Sequence, residues 1–337
     1  MIPAPSSQES QAPPAAVAAG RSSRSTAGIG AGVAASLVWG LAFLIPVLLG
    51  GWNPVIVTLG RYLAYGLLSA VLFAGGGRRL RQVARQHWRI ALAFAVAGNA
   101  GYYLLLVVGI SAAGAPLTDM VIGAIPVVVT VAGNVLTPAF RWRRLALPLV
   151  LVTAGLAVVS ALEISGVHAY LPRPAAEKAA GIIAACGAVA LWTWYALANT
   201  RFLTRYQAVS PASWSTVVGV ATGAVALAGL PVAAATGQLV APAARHPGTV
   251  TLIGGAVFLG VVVSWAGTWL WNLASSRLSP AAAGLLVNIE TVAGFGYVYA
   301  ARHQWPPAGQ LAGLILVIAG VSLTVTPRRV SAPRLGG

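Results

Sequence analysis

The stretch Pro280–Tyr299, PAAAGLLVNIETVAGFGYVY, is an apolar run of membrane-spanning length with Asn288 and Glu290 near its middle. At a rise of about 1.5 Å per helical residue, Glu290 sits roughly 15 Å from the start of the run, close to the centre of a hydrocarbon core about 30 Å thick. An acidic residue at that depth costs about 3 kcal/mol on insertion scales, so it faces a bundle interior or a cavity, is protonated, or has a partner. Helical spacing puts Glu290, Gly294 and Tyr297 on one face. The run is expected to be one span of a helical bundle. Glu290 is its proton-coupling candidate, the plainer alternative being a protonated carboxyl bonded to a neighbouring backbone.

The composition around this run is that of a membrane protein. Hydrophobic residues make up 58% of the chain and charged residues 8%, against about 25% charged in a soluble domain. The net charge of +16 comes from short basic clusters between apolar stretches. That placement fits positive-inside topology, not nucleic-acid binding. With only one cysteine, Cys186, there is no intramolecular disulfide and no cysteine metal cluster; lying within an apolar run, it is expected to be a small packed side chain.

Ten apolar stretches are expected to span as helices: 28–50, 54–76, 89–110, 115–138, 145–162, 180–199, 212–235, 249–274, 280–300 and 308–326. Turn signals such as Asn53-Pro54, Gly75-Gly76-Gly77, Ser210-Pro211 and Ser279-Pro280 separate them. Residues 1–27, rich in Pro, Ser, Ala and Gln, read as a disordered cytoplasmic tail, and 327–337 as a second one. The even span count puts both termini on one side. With that side cytoplasmic, inside segments hold sixteen arginines, including the run Arg78–Arg89, and outside segments hold only Arg173, Lys178, Arg245 and Arg302.

The two halves are expected to be related. Leu37-Val38-Trp39 recurs as Ala190-Leu191-Trp192, Asn53-Pro54 as Ser210-Pro211, and Ala154-Gly155-Leu156 as Ala319-Gly320-Val321, in the same order. Five spans per repeat, residues 28–162 and 180–326 joined by an external linker at 163–179, would set the second half upside down in the membrane. The expected fold is therefore an all-α polytopic membrane protein of ten transmembrane helices in two inverted five-helix repeats. Inverted repeats of this kind are typical of secondary transporters, which bind solute between the halves near the midplane.

Trp39-Gly40, Pro54 with Arg61, Ile125-Pro126-Val127, Trp192, Gly309-Gln310 with Gly313, and Gly320-Val321 occur in this order across the chain. Over roughly residues 31–326 this pattern resembles the EamA-type family of the drug/metabolite transporter superfamily. The resemblance implies a ten-helix, two-repeat protein of the bacterial inner membrane that exports amino acids, their derivatives or other small metabolites. Where that family often has an acid followed by proline in span nine, this chain has Glu290-Thr291, and a frequent Gly-Glu loop pair is His303-Gln304.

The polar and aromatic residues inside the spans are the candidate solute contacts. Asn99, Tyr102 and Tyr103 are spaced for one helical face of span three, and Trp265, Trp269 and Asn272 for one face of span eight. With Trp39, Trp192, Asn288 and Tyr297 they would line a cavity suited to flat, apolar or cationic solutes. Trp52, Trp88, Trp142 and Trp305, at span ends, are expected in the interfacial belt, and Trp269 and Trp271 are further candidates for it. Arg61 and Asp119 enter from the same side and are candidates for a structural ion pair, with a first-turn position the other account of Asp119.

Enzyme signatures are lacking. The lone Lys178 has no phosphate-loop context, and no G-x-S-x-G or HExxH segment occurs. His87, His168, His246 and His303 fall in expected connections without ligand spacing and are read as solvated loop residues. No cofactor, metal or nucleic acid is expected as a partner, only a small-molecule solute and membrane lipids. Two other readings fit the same composition: a membrane-embedded receptor or assembly subunit, and an intramembrane enzyme.

Overall fold

The computed structural model describes residues 14–49, 52–113, 118, 121–166, 174–240 and 248–325. Its main helices are α1 (Pro14–Leu48), α2 (Pro54–Ala74), α3 (Arg78–Ala113), α4 (Ile125–Leu136), α5 (Trp142–Gly166), α6 (Ala175–Arg205), α7 (Pro211–Ala235), α8 (Thr249–Ser275), α9 (Pro280–Ala301) and α10 (Ala308–Val325). No strand occurs among the described residues. Seven helices, α1, α2, α3, α6, α7, α8 and α9, are long and apolar enough to cross a membrane. The chain is a multi-pass helical membrane protein.

Local chemistry explains where several helices begin. Asn53 accepts a hydrogen bond from Val55 N at 2.8 Å, Ser210 one from Ser213 N at 3.1 Å, and Ser279 one from Ala282 N at 3.3 Å. Each cap is followed by proline at the first helical position, where the missing N–H costs nothing and φ is already helical.

Several helices depart from the expected boundaries. Helix α1 starts at Pro14, so residues 14–27, expected as tail, are helical; their Ala-rich sequence favours helix. Helix α3 starts at Arg78, eleven residues before the expected span, and bends at His87, whose φ of −124° and ψ of 16° are non-helical. Helices α5 and α6 reach into the expected 163–179 linker, of which residues 167–173 lie outside the described residues, as do 327–337.

Wide π-turns interrupt α3 at Val96–Ala100 and α8 at Leu259–Ala266. Such turns are rare, shift the register of side chains beyond them, and are frequent at functional sites.

Small residues set the helix pairings. On α2 and α7, Gly66 and Gly223 leave no room for a Cβ on either. On α5 and α10, Gly155 packs on Gly313 and Val317, and Gly320 packs on Pro148 and Val152. Helix α1 runs parallel to α9, with Gly32 against Leu286 and Gly40 against Ala293 and Gly294. It runs antiparallel to α8, with Gly32 near Ala274 and Gly267 against Trp39. Helix α6 lies antiparallel to α3, with Gly181 against Ala113 and Gly98 against Tyr195.

The main core lies among α1, α4, α5, α6, α8, α9 and α10 and includes Ala35, Val129, Val152, Trp271, Leu285 and Val321. A second core, at the arginine-rich end, packs Phe94, Tyr195, Phe202 and Trp214 between α3, α6 and α7. His87 is drawn into it: its ring lies 5.0 Å from Phe202 and 4.7 Å from Tyr206. That corrects its reading as a solvated loop residue. His303 does stand in an exposed turn, with a positive φ of 51°, and His168 and His246 lie outside the described residues.

Candidate functional site

Three tryptophans from three helices meet in the main core. Trp39 of α1 and Trp192 of α6 lie 6.4 Å apart edge-on, and Trp271 of α8 lies 5.5 Å from the first and 6.0 Å from the second. These centroid distances are within the range of favourable aromatic pairs. Trp271 is 1% exposed, which corrects its placement in an interfacial belt. Tyr102 packs against the same core.

Among the described residues five buried side-chain polar atoms lack a hydrogen-bond partner, Ser69 Oγ, Thr193 Oγ1, Trp271 Nε1, Ser275 Oγ and Asn288 Oδ1; Trp271 belongs to the triad and Asn288 to α9. Asn288 donates from Nδ2 to Leu285 O within its own helix at 2.9 Å, which leaves its carbonyl unsatisfied. Leaving such a group unpaired costs about 1–3 kcal/mol, so orphaned atoms of this kind in a native fold ask for a reason.

A polar cluster lies on the α2, α7 and α8 side. Arg61 donates from Nε to Ser264 Oγ at 2.8 Å, within the α8 π-turn. Its guanidinium lies 5.5 Å from the Tyr62 ring centroid. Tyr65 donates to Ser215 O at 2.9 Å, and Ser215 donates to Trp265 O at 3.0 Å. Asp119 lies outside the described residues, and with it the Arg61–Asp119 pairing.

The expected common face of α3 is split. Asn99 sits inside the π-turn and donates to Thr222 of α7 at 3.2 Å, Tyr102 turns to the tryptophan core, and Tyr103 donates to Pro54 O at the start of α2 at 3.0 Å. The physical reason is the extra residue per turn, which breaks the i, i+3, i+4 alignment. The face expected on α8 holds together better. The Trp265 and Trp269 rings lie 6.1 Å apart, Trp265 donates to Thr216 of α7 at 3.3 Å, and buried Asn272 donates to Pro211 O at the start of α7 at 3.5 Å and accepts from Asn199 of α6 at 2.9 Å. Asn199 in turn accepts from Trp214 Nε1 at 2.9 Å, making a buried network that ties α6, α7 and α8 together.

Tyr297 donates to Leu37 O of α1 at 3.3 Å, so the face of α9 carrying Glu290 and Tyr297 is turned toward α1. Trp88, Trp142 and Trp305 are exposed, beside the bend of α3, at the start of α5 and in the connection between α9 and α10 respectively. Cys186 is exposed as well, which corrects its reading as a packed side chain. The tryptophan triad was half legible: Trp39 and Trp192 stood out by depth, whereas only three-dimensional packing singles out Trp271.

No protein-family model matches the chain. It is 35% identical over 300 residues to the inner membrane protein YtfF of Escherichia coli (strain K12), an alignment that covers 86% of this chain and 92% of that protein. Among solved structures, one described only as the crystal structure of a protein superposes with a TM-score of 0.69 at 20% identity, covering 90% of this chain and 96% of the other. That likeness concerns the fold alone.

Proposed function

The chain belongs to the family of the inner membrane protein YtfF, and from that premise we propose that it is a secondary transporter of small metabolites in the bacterial inner membrane, with both termini cytoplasmic. The observation that carries this reading is the exchange symmetry of the helix contacts. Gly155 meets Gly313 and Val317 while Gly320 meets Pro148 and Val152, and each pair of partners is the other pair shifted by the same 165 positions. The shift is that of the Ala154-Gly155-Leu156 and Ala319-Gly320-Val321 segments.

Other contacts obey the same exchange. Leu191 approaches Gly101, just after the α3 π-turn, as Val38 approaches Gly267, just after the α8 π-turn. These relations support ten spans in two inverted five-helix repeats, the arrangement of the EamA-type branch of the drug/metabolite transporter superfamily. Interrupted helices at corresponding positions of two halves are the usual pointer to a transporter's binding site.

The triad Trp39, Trp192 and Trp271 supplies stacking surface for a flat solute, and the unpaired Trp271 Nε1 and Asn288 Oδ1 supply one donor and one acceptor for its polar groups. Amino acids and aromatic or cationic metabolites fit this chemistry, with export as the direction. Glu290, mid-way along α9 on the face turned toward α1, is the candidate proton carrier. Rocking of the two repeats would present it to each side of the membrane in turn.

A metabolite screen by thermal stabilisation of the purified protein identifies the solute, since a ligand of the folded state raises stability. Counterflow of that labelled solute in proteoliposomes then tests transport. Binding without counterflow favours a receptor or assembly subunit, and chemical turnover without translocation favours an enzyme.

A further inference from the structure

The arginine-rich end of the molecule holds a cleft that the transport reading does not use. Before the bend at His87, α3 is amphipathic: Val83 is buried and Leu80 half-buried, while Arg79, Arg81 and Arg85 are exposed. Between this segment and the end of α6 lies an open cleft of about 580 Å³ lined by Gln86, His87, Trp88, Arg89, Arg205 and Tyr206, with an adjoining one of about 330 Å³ that adds Arg79 and Gln82.

The cations around it are held in place. Arg79 donates from Nη2 to Ala208 O at 2.8 Å, the Arg89 guanidinium lies 5.4 Å from the Trp88 ring centroid, and that of Arg205 lies 5.8 Å from Tyr206. They lack a described carboxylate. The chain has five acidic residues. Glu177 opens α6 at the end opposite Arg205, Glu290 is mid-α9, and Glu163 closes α5, whose start is the arginine-bearing end. Glu9 and Asp119 lie outside the described residues. Three positioned guanidinium groups around a cleft therefore call for an external anion.

We propose that this cleft binds the phosphate of an anionic phospholipid headgroup, with Arg79, Arg89 and Arg205 as its charge partners. A lipid fits better than free phosphate because an apolar track leads away from the cleft. Trp88, Leu92 and Val96 recur at every fourth position of α3 and are all exposed, at 55%, 39% and 41%. The track continues past the bend into the apolar span, where acyl chains lie, and Trp88 stands at the headgroup level that tryptophan favours. Clustered arginines beside a membrane helix attract anionic lipid electrostatically.

The test uses the full chain in zwitterionic phosphatidylcholine with and without phosphatidylglycerol. Native mass spectrometry reads retained lipid, and quenching of Trp88 by brominated phosphatidylglycerol reads its position, with Trp88→Phe as the blank. The triple variant Arg79→Gln/Arg89→Gln/Arg205→Gln is expected to lose phosphatidylglycerol affinity by at least about tenfold. The control Arg141→Gln/Arg143→Gln/Arg144→Gln removes the same charge elsewhere and is expected to keep it.

If the triple variant does not fold, Arg205→Gln alone, in the exposed last turn of α6, is read in the same way with a smaller loss. Equal losses in the site and control variants would overturn the proposal in favour of diffuse surface charge. Displacement of phosphatidylglycerol by inorganic phosphate at comparable affinity would overturn the lipid assignment.

Discussion

Gly66 of α2 and Gly223 of α7 touch backbone to backbone, and each lies twelve residues after the proline that opens its helix, Pro54 and Pro211. Two glycines at the same place in two helices, in mutual contact, are what a two-fold axis through the crossing would produce. The helices come close enough there that neither position tolerates a side chain.

Gly66→Val should therefore force α2 and α7 apart. Overpacking of a filled interior costs about 1–3 kcal/mol, and a β-branched residue against backbone lies at the upper end. The yield of monodisperse protein and its unfolding temperature in detergent should both fall. Gly30→Ala is the control: nothing lies within 4 Å of its added methyl, and it should be neutral or slightly stabilising. Equal behaviour of the two variants would refute the crossing.

The network Trp214–Asn199–Asn272 should behave as a unit. Asn199→Leu strands the Trp214 N–H and the Asn272 carbonyl, both previously bonded at 2.9 Å. Each buried orphan costs about 1–3 kcal/mol. Thermal unfolding in detergent should drop clearly for Asn199→Leu and little for the exposed Trp269→Leu.

The helical, multi-pass character was legible because apolar runs between turn signals follow from the thickness of the bilayer; among the described residues seven helices are long and apolar enough to cross it. The glycines of Ala154-Gly155-Leu156 and Ala319-Gly320-Val321, singled out by sequence, pack across α5 and α10. The two π-turns were not legible, because an extra residue in a turn is chosen by tertiary packing and leaves no periodic mark. Hence Asn99, Tyr102 and Tyr103, one face by spacing, point to three neighbours. Trp271 was misplaced because closeness to a helix end says nothing of which way a side chain points. The bend at His87, whose ring meets Phe202 of α6 and Trp214 of α7, likewise leaves no periodic mark in the sequence.

Topology can be read with cysteine labelling, because the chain has a single native thiol. Cys186 is exposed part-way along the apolar α6 and should face lipid, so an impermeant maleimide should leave it unlabelled in membranes and label it after denaturation. In a Cys186→Ala background, Arg81→Cys should react only when the cytoplasmic face is accessible. Labelling of Arg81→Cys in intact cells would reverse the orientation.

The tryptophan triad makes a claim about binding. Trp192→Ala should weaken solute binding by tenfold or more, about 1.4 kcal/mol, while the exposed Trp142→Ala leaves it unchanged. Titration of thermal stabilisation against solute concentration measures both. Equal affinities in the two variants would move the site away from the triad.

Glu290 brings the account to its most direct test. Wild type and Glu290→Gln, which keeps shape and hydrogen bonding without titration, are reconstituted in proteoliposomes and assayed for solute exchange at equal pH and for accumulation driven by a pH gradient. Wild type should do both, and Glu290→Gln should exchange solute but fail to accumulate it. Uphill accumulation by Glu290→Gln at the wild-type rate would contradict the proton-carrying role, and absence of exchange by wild type would contradict transport itself.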